Sequence, residues 1–306
     1  MNAAPTISIV IITYNRPADM LDLARNIATL DEAEKLESII IVNNRSTESY
    51  AELEAFIASQ PHLPFKYYVA PENLGVSRGR NDALQRSNAD VLVFLDDDAL
   101  FSNADALVQI RTIFSESEGT RPMGIASFKV YYYATGELQQ TAFPHKQFEA
   151  RKHLHRFDTA YFVGCAHAIR RTVFEKTGLY PVNFFYGMEE YDLSYRTLDA
   201  GFSIGYDDRV VIRHKESPGG RLTNRDKLRG MWVNKSKVAW KYLPKKYFYS
   251  TAFMWSLEYL KKSEWDFSGW LRGWRGVVRV PREERRVTIG GPAMEYLRRV
   301  GARLWY

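Results

Sequence analysis

The sequence predicts an α/β fold, an open and mostly parallel sheet flanked by helices, followed by a C-terminal helical appendage. Three observations carry this. Four short, β-branched apolar runs in the first hundred residues alternate with helical patterns. Polar clusters follow three of those runs. Beyond residue 222, helical periodicity replaces the strand pattern.

The four runs are Ile7–Thr13 (ISIVIIT), Ser38–Asn43 (SIIIVN), Phe65–Val69 (FKYYV) and Val91–Asp96 (VLVFLD). Mostly apolar strands of this kind suit a parallel sheet covered on both faces. Helical candidates at 18–30, 49–59 and 76–87 complete βαβ units with right-handed crossovers. In such sheets ligands bind beyond the carboxyl ends of the strands. Thr13-Tyr14-Asn15-Arg16, Asn43-Asn44-Arg45-Ser46 and Asp96-Asp97-Asp98 fall at those ends. Further on, 123–133 reads as a strand, and 138–160 as irregular, with His145, His153 and His155 scattered through it. The stretch 162–176 reads as a strand end entering a helix closed by Gly178, 190–200 as a short amphipathic helix stopped by Gly201, and 202–214 as extended. The tail is helical, in stretches such as 247–262 and 263–278, with breaks expected at Pro244, Gly269, Gly273 and Pro281.

With 306 residues, 45% of them hydrophobic and 25% charged, the chain can bury a substantial core. No apolar stretch approaches the ~20 residues that span a bilayer, and the N-terminus lacks a leader pattern. The expectation is a cytoplasmic protein, at most peripheral on the inner face of the membrane. The single Cys165 excludes an intramolecular disulfide and suits a reducing compartment. Net charge is +6, but unevenly spread: residues 1–220 carry 22 Lys and Arg against 29 Asp and Glu, and residues 221–306 carry 20 against 7. All seven Trp lie in the basic tail. Such a tail points to an anionic partner, lipid head groups foremost; the competing reading is a solvated helical subdomain with Trp in its core. No nucleic acid is expected, although the basic tail alone does not decide the matter.

Asp96-Asp97-Asp98 is the strongest local signal. Three carboxylates leaving a buried strand repel one another, and a hard divalent cation with oxygen ligands, Mn²⁺ or Mg²⁺, compensates them. A solvated acidic turn has the same composition.

Five segments in order resemble glycosyltransferase family 2, whose members have the GT-A fold, a Rossmann-like architecture. They are ISIVIITYNRP, IIIVNNRSTE, ENLGVSRGRND, FLDDD, and FVGCAHAIRRTVFEKTGLY with FYGMEEYDLSYRTLDAGF, spanning about residues 6–216. The resemblance implies a catalytic domain at 1–220, with a nucleotide-sugar half at about 1–100 and an acceptor half at about 101–220, and a basic, aromatic-rich region at 221–306. It places Thr13, Tyr14, Arg16, Asn43, Arg78, Asn81, Asp96 and Asp97 at the nucleotide-sugar. At Asn43 the family usually has Asp, which accepts the N3–H of uracil or thymine; an Asn carbonyl accepts the same bond. Asp98 would ligate the metal directly, His214 would complete its shell, and Asp96 would contact the ribose or reach the metal through water. Glu190 falls where the family's general base stands, usually as Asp, with Glu189 the neighbouring candidate. Tyr186, Gly187 and Asp192 would lie on the acceptor side.

The implied activity is inverting transfer of a sugar from a UDP- or dTDP-sugar to a saccharide or lipid-linked saccharide, in bacterial polysaccharide or glycoconjugate assembly. The form of the tail (NRDKLRGMWVNKSKVAWKYLP, GWLRGWRGVVRVP) resembles rhamnosyl- and galactosyltransferases of cell-surface polysaccharides. Two alternatives are a sugar nucleotidyltransferase, which gives the Glu189–Glu190 pair no task, and a non-catalytic carbohydrate-binding protein that keeps the fold.

Overall fold

A computed structural model describes residues 4–117, 121–184, 187–217 and 223–305. The first half alternates as expected: β1 (Ile7–Thr13), α1 (Pro17–Ala28), β2 (Ser38–Asn43), α2 (Ala51–Ala58), β3 (Phe65–Val69), α3 (Gly75–Leu84) and β4 (Val91–Asp96). Then come β5 (Ala99–Phe101), α4 (Ala106–Glu116), β6 (Met123–Tyr132), α5 (Phe148–Arg151), β7 (Arg156–Asp158), β8 (Ala166–Arg170), α6 (Arg171–Thr177), α7 (Glu189–Asp199) and β9 (Ser203–His214). The stretch expected to be irregular, 138–160, therefore holds a 3-10 turn at Gln140–Ala142, the single turn of α5 and one short strand.

Among the described residues the strands form one sheet in the order β3-β2-β1-β4-β8-β6-β9-β5, with β7 pairing β9. The pairs β1–β2, β1–β4 and β2–β3 are parallel. The later strands are mixed: β8 runs antiparallel to β4 and β6, while β6 and β9 are parallel. Both faces of β1, β2 and β4 are covered, which is why those strands read as mostly apolar, whereas the edge strand β3 is half-exposed. Ile7, Ile9, Ile11, Val91, Val93 and Leu95 share a core with Leu23 and Ile27 of α1, Leu53 of α2 and Ile110 of α4. The alternate residues Val10, Ile40, Val42, Leu92 and Phe94 share the other with Leu84 of α3, Val173 of α6, Leu193 of α7, Trp232, Tyr242 and Leu297.

Those last three belong to the tail, which folds as α8 (Asn224–Tyr242), α9 (Lys245–Lys262), α10 (Phe267–Glu283) and α11 (Gly291–Arg299). Trp232 is fully buried, and its Nε1–H donates to the Ala252 carbonyl at 2.9 Å. Trp240, Trp255, Trp270 and Trp274 pack partly buried against the same cluster, whereas Trp265 and Trp305 are exposed. The indoles are thus mostly core.

Two expectations about the tail need correction. Pro244 does precede a helix, but Gly269, Gly273 and Pro281 all lie inside α10. The glycines permit close packing: a Cβ on Gly273 would stand 2.1 Å from Cζ3 of Trp232, and one on Gly269 2.0 Å from the Tyr259 hydroxyl. Pro281 falls in the last turn of α10. The real interruption is at 263–266, where Glu264 and Trp265 take positive φ and Asp266 caps α10 by accepting the Gly269 N–H at 2.9 Å, so 263–278 is not one helix. No helix among the described residues is long and apolar enough to cross a membrane.

Candidate functional site

A cavity of about 610 Å³ opens at the carboxyl ends of β1 and β4. Its walls come from Thr13, Tyr14 and Arg16, from Asn44, from Gly75, Val76 and Arg80 of α3, from Leu95 to Asp98, and from His214, Glu216 and Lys227. The loops after β1 and β2 turn sharply through Asn15 and Arg45, both at positive φ, and are tied together: Thr47 donates its N–H to Asn15 Oδ1 at 2.8 Å, and Asn15 its N–H to Ser46 Oγ at 2.9 Å. Thr13 and Tyr50 share a hydroxyl–hydroxyl bond of 2.7 Å, and Tyr50 also accepts the Arg16 N–H at 3.1 Å.

Each aspartate of the triplet has a different environment. Arg16 Nη1 lies 2.8 Å from Asp97 Oδ1 and 3.2 Å from Asp98 Oδ2. Burial pushes Asp97 up to about 7 against the pull of Arg16. Burial also opposes ionisation of Asp98, yet its carboxyl is held below the usual range by His214, Arg16 and the Ser217 N–H at 2.8 Å. Pairing of β5 with β9 sets His214 opposite Ala99, the residue after Asp98. His214 Nε2 stands 3.2 Å from Asp98 Oδ1. One ligand atom from each of Asp96, Asp98 and His214 can be chosen so that all lie within 4.8 Å of one another. Gln139 spends its amide donor, Nε2, on Thr141 and Glu216, leaving Oε1 at 3.1 Å to accept from His214 Nδ1. That bond orients the ring and leaves Nε2 for a ligand. Two carboxylates and an imidazole, with the ring so held, fit Mn²⁺ or Mg²⁺.

The acidic pair opens α7. Glu189 is buried, its Oε1 3.4 Å from Arg80 Nη1, while its Oε2 has no hydrogen-bond partner among the described residues. Burial, and for Glu190 the charge of Glu189, raise both above the ordinary carboxylate range. Glu190 is packed against Gly164: a Cβ there would stand 2.3 Å from Oε1, so a larger residue would displace the carboxyl. Arg80 ties the two acidic groups together, with Nη2 2.9 Å from the Gly164 carbonyl and 3.5 Å from Asp96 Oδ1. It is 5% exposed.

Other expected residues are placed elsewhere. Arg78 is exposed and pairs with Glu72 at 2.5 Å, outside the cavity wall. Asn81 is buried, bonded through both ends of its amide to the Tyr180 backbone at 2.9 Å. Arg80 was the arginine to choose: Val76 and Arg80 both line the cavity, and their i,i+4 spacing shares a helix face that Arg78 does not. Asn43 is buried outside the lining, donating to Tyr67 at 2.7 Å and accepting the Ser46 N–H at 2.8 Å; its neighbour Asn44 forms the wall. Asp192 lies outside the cavity lining. It is buried against Arg196, Lys241 and the Tyr242 hydroxyl, which hold its carboxyl low despite burial. Gly187 takes φ +79, which favours glycine, and its carbonyl accepts from Asn234 Nδ2 at 3.0 Å. Tyr186 lies outside the described residues.

Comparison with known proteins agrees with this geometry. The model of the family described as "Glycosyl transferase family 2" matches residues 8–178. An uncharacterised protein of Haemophilus influenzae is 29% identical over 177 residues, 57% of this chain and 92% of that one. The O-antigen chain rhamnosyltransferase WbaN of Salmonella anatum is 22% identical over 226 residues, 70% of this chain and 67% of that one. Among solved structures, S. aureus TarS 1–349 in complex with UDP-GlcNAc superposes with a TM-score of 0.62 at 13% identity, covering 90% of this chain and 81% of that one. GalNAc-T7, solved with UDP, GalNAc and Mn²⁺, gives 0.57 at 15% identity over 81% of this chain; the chain spans about half, 51%, of its length. These structural likenesses establish the fold, which is the GT-A arrangement.

Proposed function

The chain belongs to glycosyl transferase family 2, and from that premise we propose that it moves a sugar, with inversion, from a UDP- or dTDP-sugar to a hydroxyl of a saccharide or lipid-linked saccharide in polysaccharide or glycoconjugate assembly. One observation carries the reading. The guanidinium of Arg80 stands 3.5 Å from Asp96 of the aspartate cluster and 3.4 Å from Glu189 of the glutamate pair, so donor-side and base-side carboxylates meet at one buried cation.

In this reading Asp98, Asp96 and His214 hold Mn²⁺ or Mg²⁺, which when bound offsets the charge of the departing nucleoside diphosphate. Tyr14 offers the nucleotide an aromatic face. Arg16 fixes Asp97 and Asp98 in place. Asn43, buried outside the cavity wall with its amide engaged by Tyr67 and the Ser46 N–H, would shape the loop after β2 beside a pyrimidine base without touching it. Glu190, in its ionised form, takes the proton of the acceptor hydroxyl as that oxygen attacks the anomeric carbon, opposite the leaving group. Glu189, tethered to Arg80, holds the pair in register. Direct displacement from that side inverts the anomeric configuration. The acceptor's lipid would lie at an anionic, cytoplasmic membrane surface.

A panel of nucleotide sugars incubated with Mn²⁺ tests this through the nucleotide released. A nucleoside diphosphate, formed from UDP- or dTDP-sugars and lost with chelator, is the expected product. Pyrophosphate release would mean nucleotidyl transfer instead. A GDP preference would overturn the donor assignment, and equal nucleotide binding in EDTA the metal.

A further inference from the structure

The tail's tryptophans mostly face inward, yet the same helices leave large apolar side chains in solvent. On α9, Tyr249, Phe253 and Leu257 recur every fourth residue and are 63%, 55% and 46% exposed, so they form one stripe. Lys245 and Lys261, both exposed, extend that spacing beyond its two ends. In the turn that joins α9 to α10, the exposed rings of Trp265 and Phe267 lie 6.1 Å apart, and exposed Leu271 follows one helical turn after Phe267.

The turn is built to hold these rings outward. Glu264 and Trp265 adopt φ of 56° and 63°, a conformation that non-glycine residues take only when their surroundings hold them. Three contacts do so: Trp265 donates its N–H to the Leu260 carbonyl at 2.9 Å, Asp266 caps α10, and Tyr259 donates its hydroxyl to Asp266 at 2.7 Å. Single exposed apolar residues are ordinary, but a stripe followed by a fixed aromatic turn marks an interaction surface. Cations border it: Arg272, Arg275, Arg279 and Arg282 are all on the exposed side of α10.

We propose that Tyr249, Phe253, Leu257, Trp265, Phe267 and Leu271 form a ridge that seats in the interface of an anionic lipid bilayer, with the flanking lysines and arginines on the head groups. Charge decides the occupant. Residues 221–306 carry 20 basic against 7 acidic side chains, which complements an anionic lipid surface. A second copy would bring the same excess of positive charge to the ridge and be repelled. The proposal deepens the membrane-side part of the function above. α8 packs on both α9 and α10, and its Lys227 lines the catalytic cavity, so a seated ridge holds that cavity one helix from the head groups.

Sedimentation with phosphatidylglycerol–phosphatidylcholine vesicles and with pure phosphatidylcholine vesicles tests the ridge without any nucleotide, so its outcome is independent of the catalytic assignment. The full chain should bind the anionic vesicles and bind them less as salt rises. The triple variant Phe253→Ser, Leu257→Ser, Phe267→Ser should lose at least about tenfold in binding, while keeping solution hydrolysis of the donor. Arg272→Glu with Arg275→Glu should also lose binding. In the Trp265→Phe variant, the blue shift of tryptophan emission on adding anionic vesicles should shrink. Equal binding to both lipids, undiminished binding by the triple variant, or a dimer in light scattering that the triple variant dissolves without vesicle binding would each overturn the proposal.

Discussion

Replacing Arg80 with methionine should move the acid limb of the pH–rate profile upward. The guanidinium lies 3.4 Å from Glu189 and 3.5 Å from Asp96 and is buried. At an effective dielectric of ~20, each contact is worth roughly 5 kcal/mol before desolvation is counted. Desolvation cancels most of this, and a neighbouring cation typically lowers a carboxyl pKa by about 1–3 units. Burial already holds the Glu189–Glu190 pair above the ordinary range, and Arg80 is the opposing influence on both. Removing it lets both pKa values rise further, so at a given pH less Glu190 is ionised and able to accept a proton. The limb should shift up by about one unit or more, and below it each unit is a tenfold loss of base. Arg80→Lys keeps the charge but cannot span Asp96, Glu189 and the Gly164 carbonyl together, so its shift should be smaller. Leaving buried carboxylates unpaired also costs about 3–5 kcal/mol of stability, so thermal unfolding and nucleoside diphosphate binding are measured on the same samples. A folded, nucleotide-binding Arg80→Met enzyme whose acid limb in kcat/KM stays at the wild-type pH would refute the electrostatic coupling.

Two further outcomes follow from the same geometry. Glu190→Gln should abolish transfer while leaving donor binding by calorimetry nearly intact, and Glu189→Gln should cost less; a dead Glu189 variant beside an active Glu190 variant would exchange their roles. Asp192→Asn should destabilise the fold by about 3 kcal/mol, read as a thermal shift of several degrees, because Arg196 and Lys241 lose their buried counter-charge; the Asp192 carboxyl is held low, so its contribution is present at neutral pH and is lost as pH falls through its folded pKa. No change in melting temperature would mean that these ion pairs contribute nothing.

The parallel half of the sheet and the aspartate cluster were legible because local chemistry specifies both. β-Branched runs between turn residues can hardly be anything but strands, and three carboxylates at a strand end call for a cation. His214 was reached only through the family resemblance, since no sequence spacing shows that β9 pairs with β5 and sets it beside Asp98. Arg80 was missed although the information was present. In the helix over 75–84, a residue four after Val76 shares its face and Arg78 does not, so helical period separates two arginines that composition cannot. Glu189, Glu190 and Asp192 read alike as acids at a helix start, but only the tertiary fold turns the third toward α8.

That last contact bears on how the chain is divided. The change in charge near residue 220 suggested a catalytic body and a separate basic tail. The core does not respect that line, because Trp232, Tyr242 and Leu297 share one apolar cluster with β4 and α7. The polar contacts cross it too. Asp192 lies on the same helix as the candidate base and pairs with Lys241 of α8, while Asn234 of α8 holds the carbonyl of Gly187, two residues before Glu189. A rigid helix transmits such anchoring along its length, so the position of Glu190 depends on where α8 sits. The tail is therefore part of what positions the candidate base, whatever surface its outer ridge meets, and a substitution that loosens α8 should impair transfer before it impairs nucleotide binding, because the aspartate cluster is fixed instead by Arg16, Ser217 and His214.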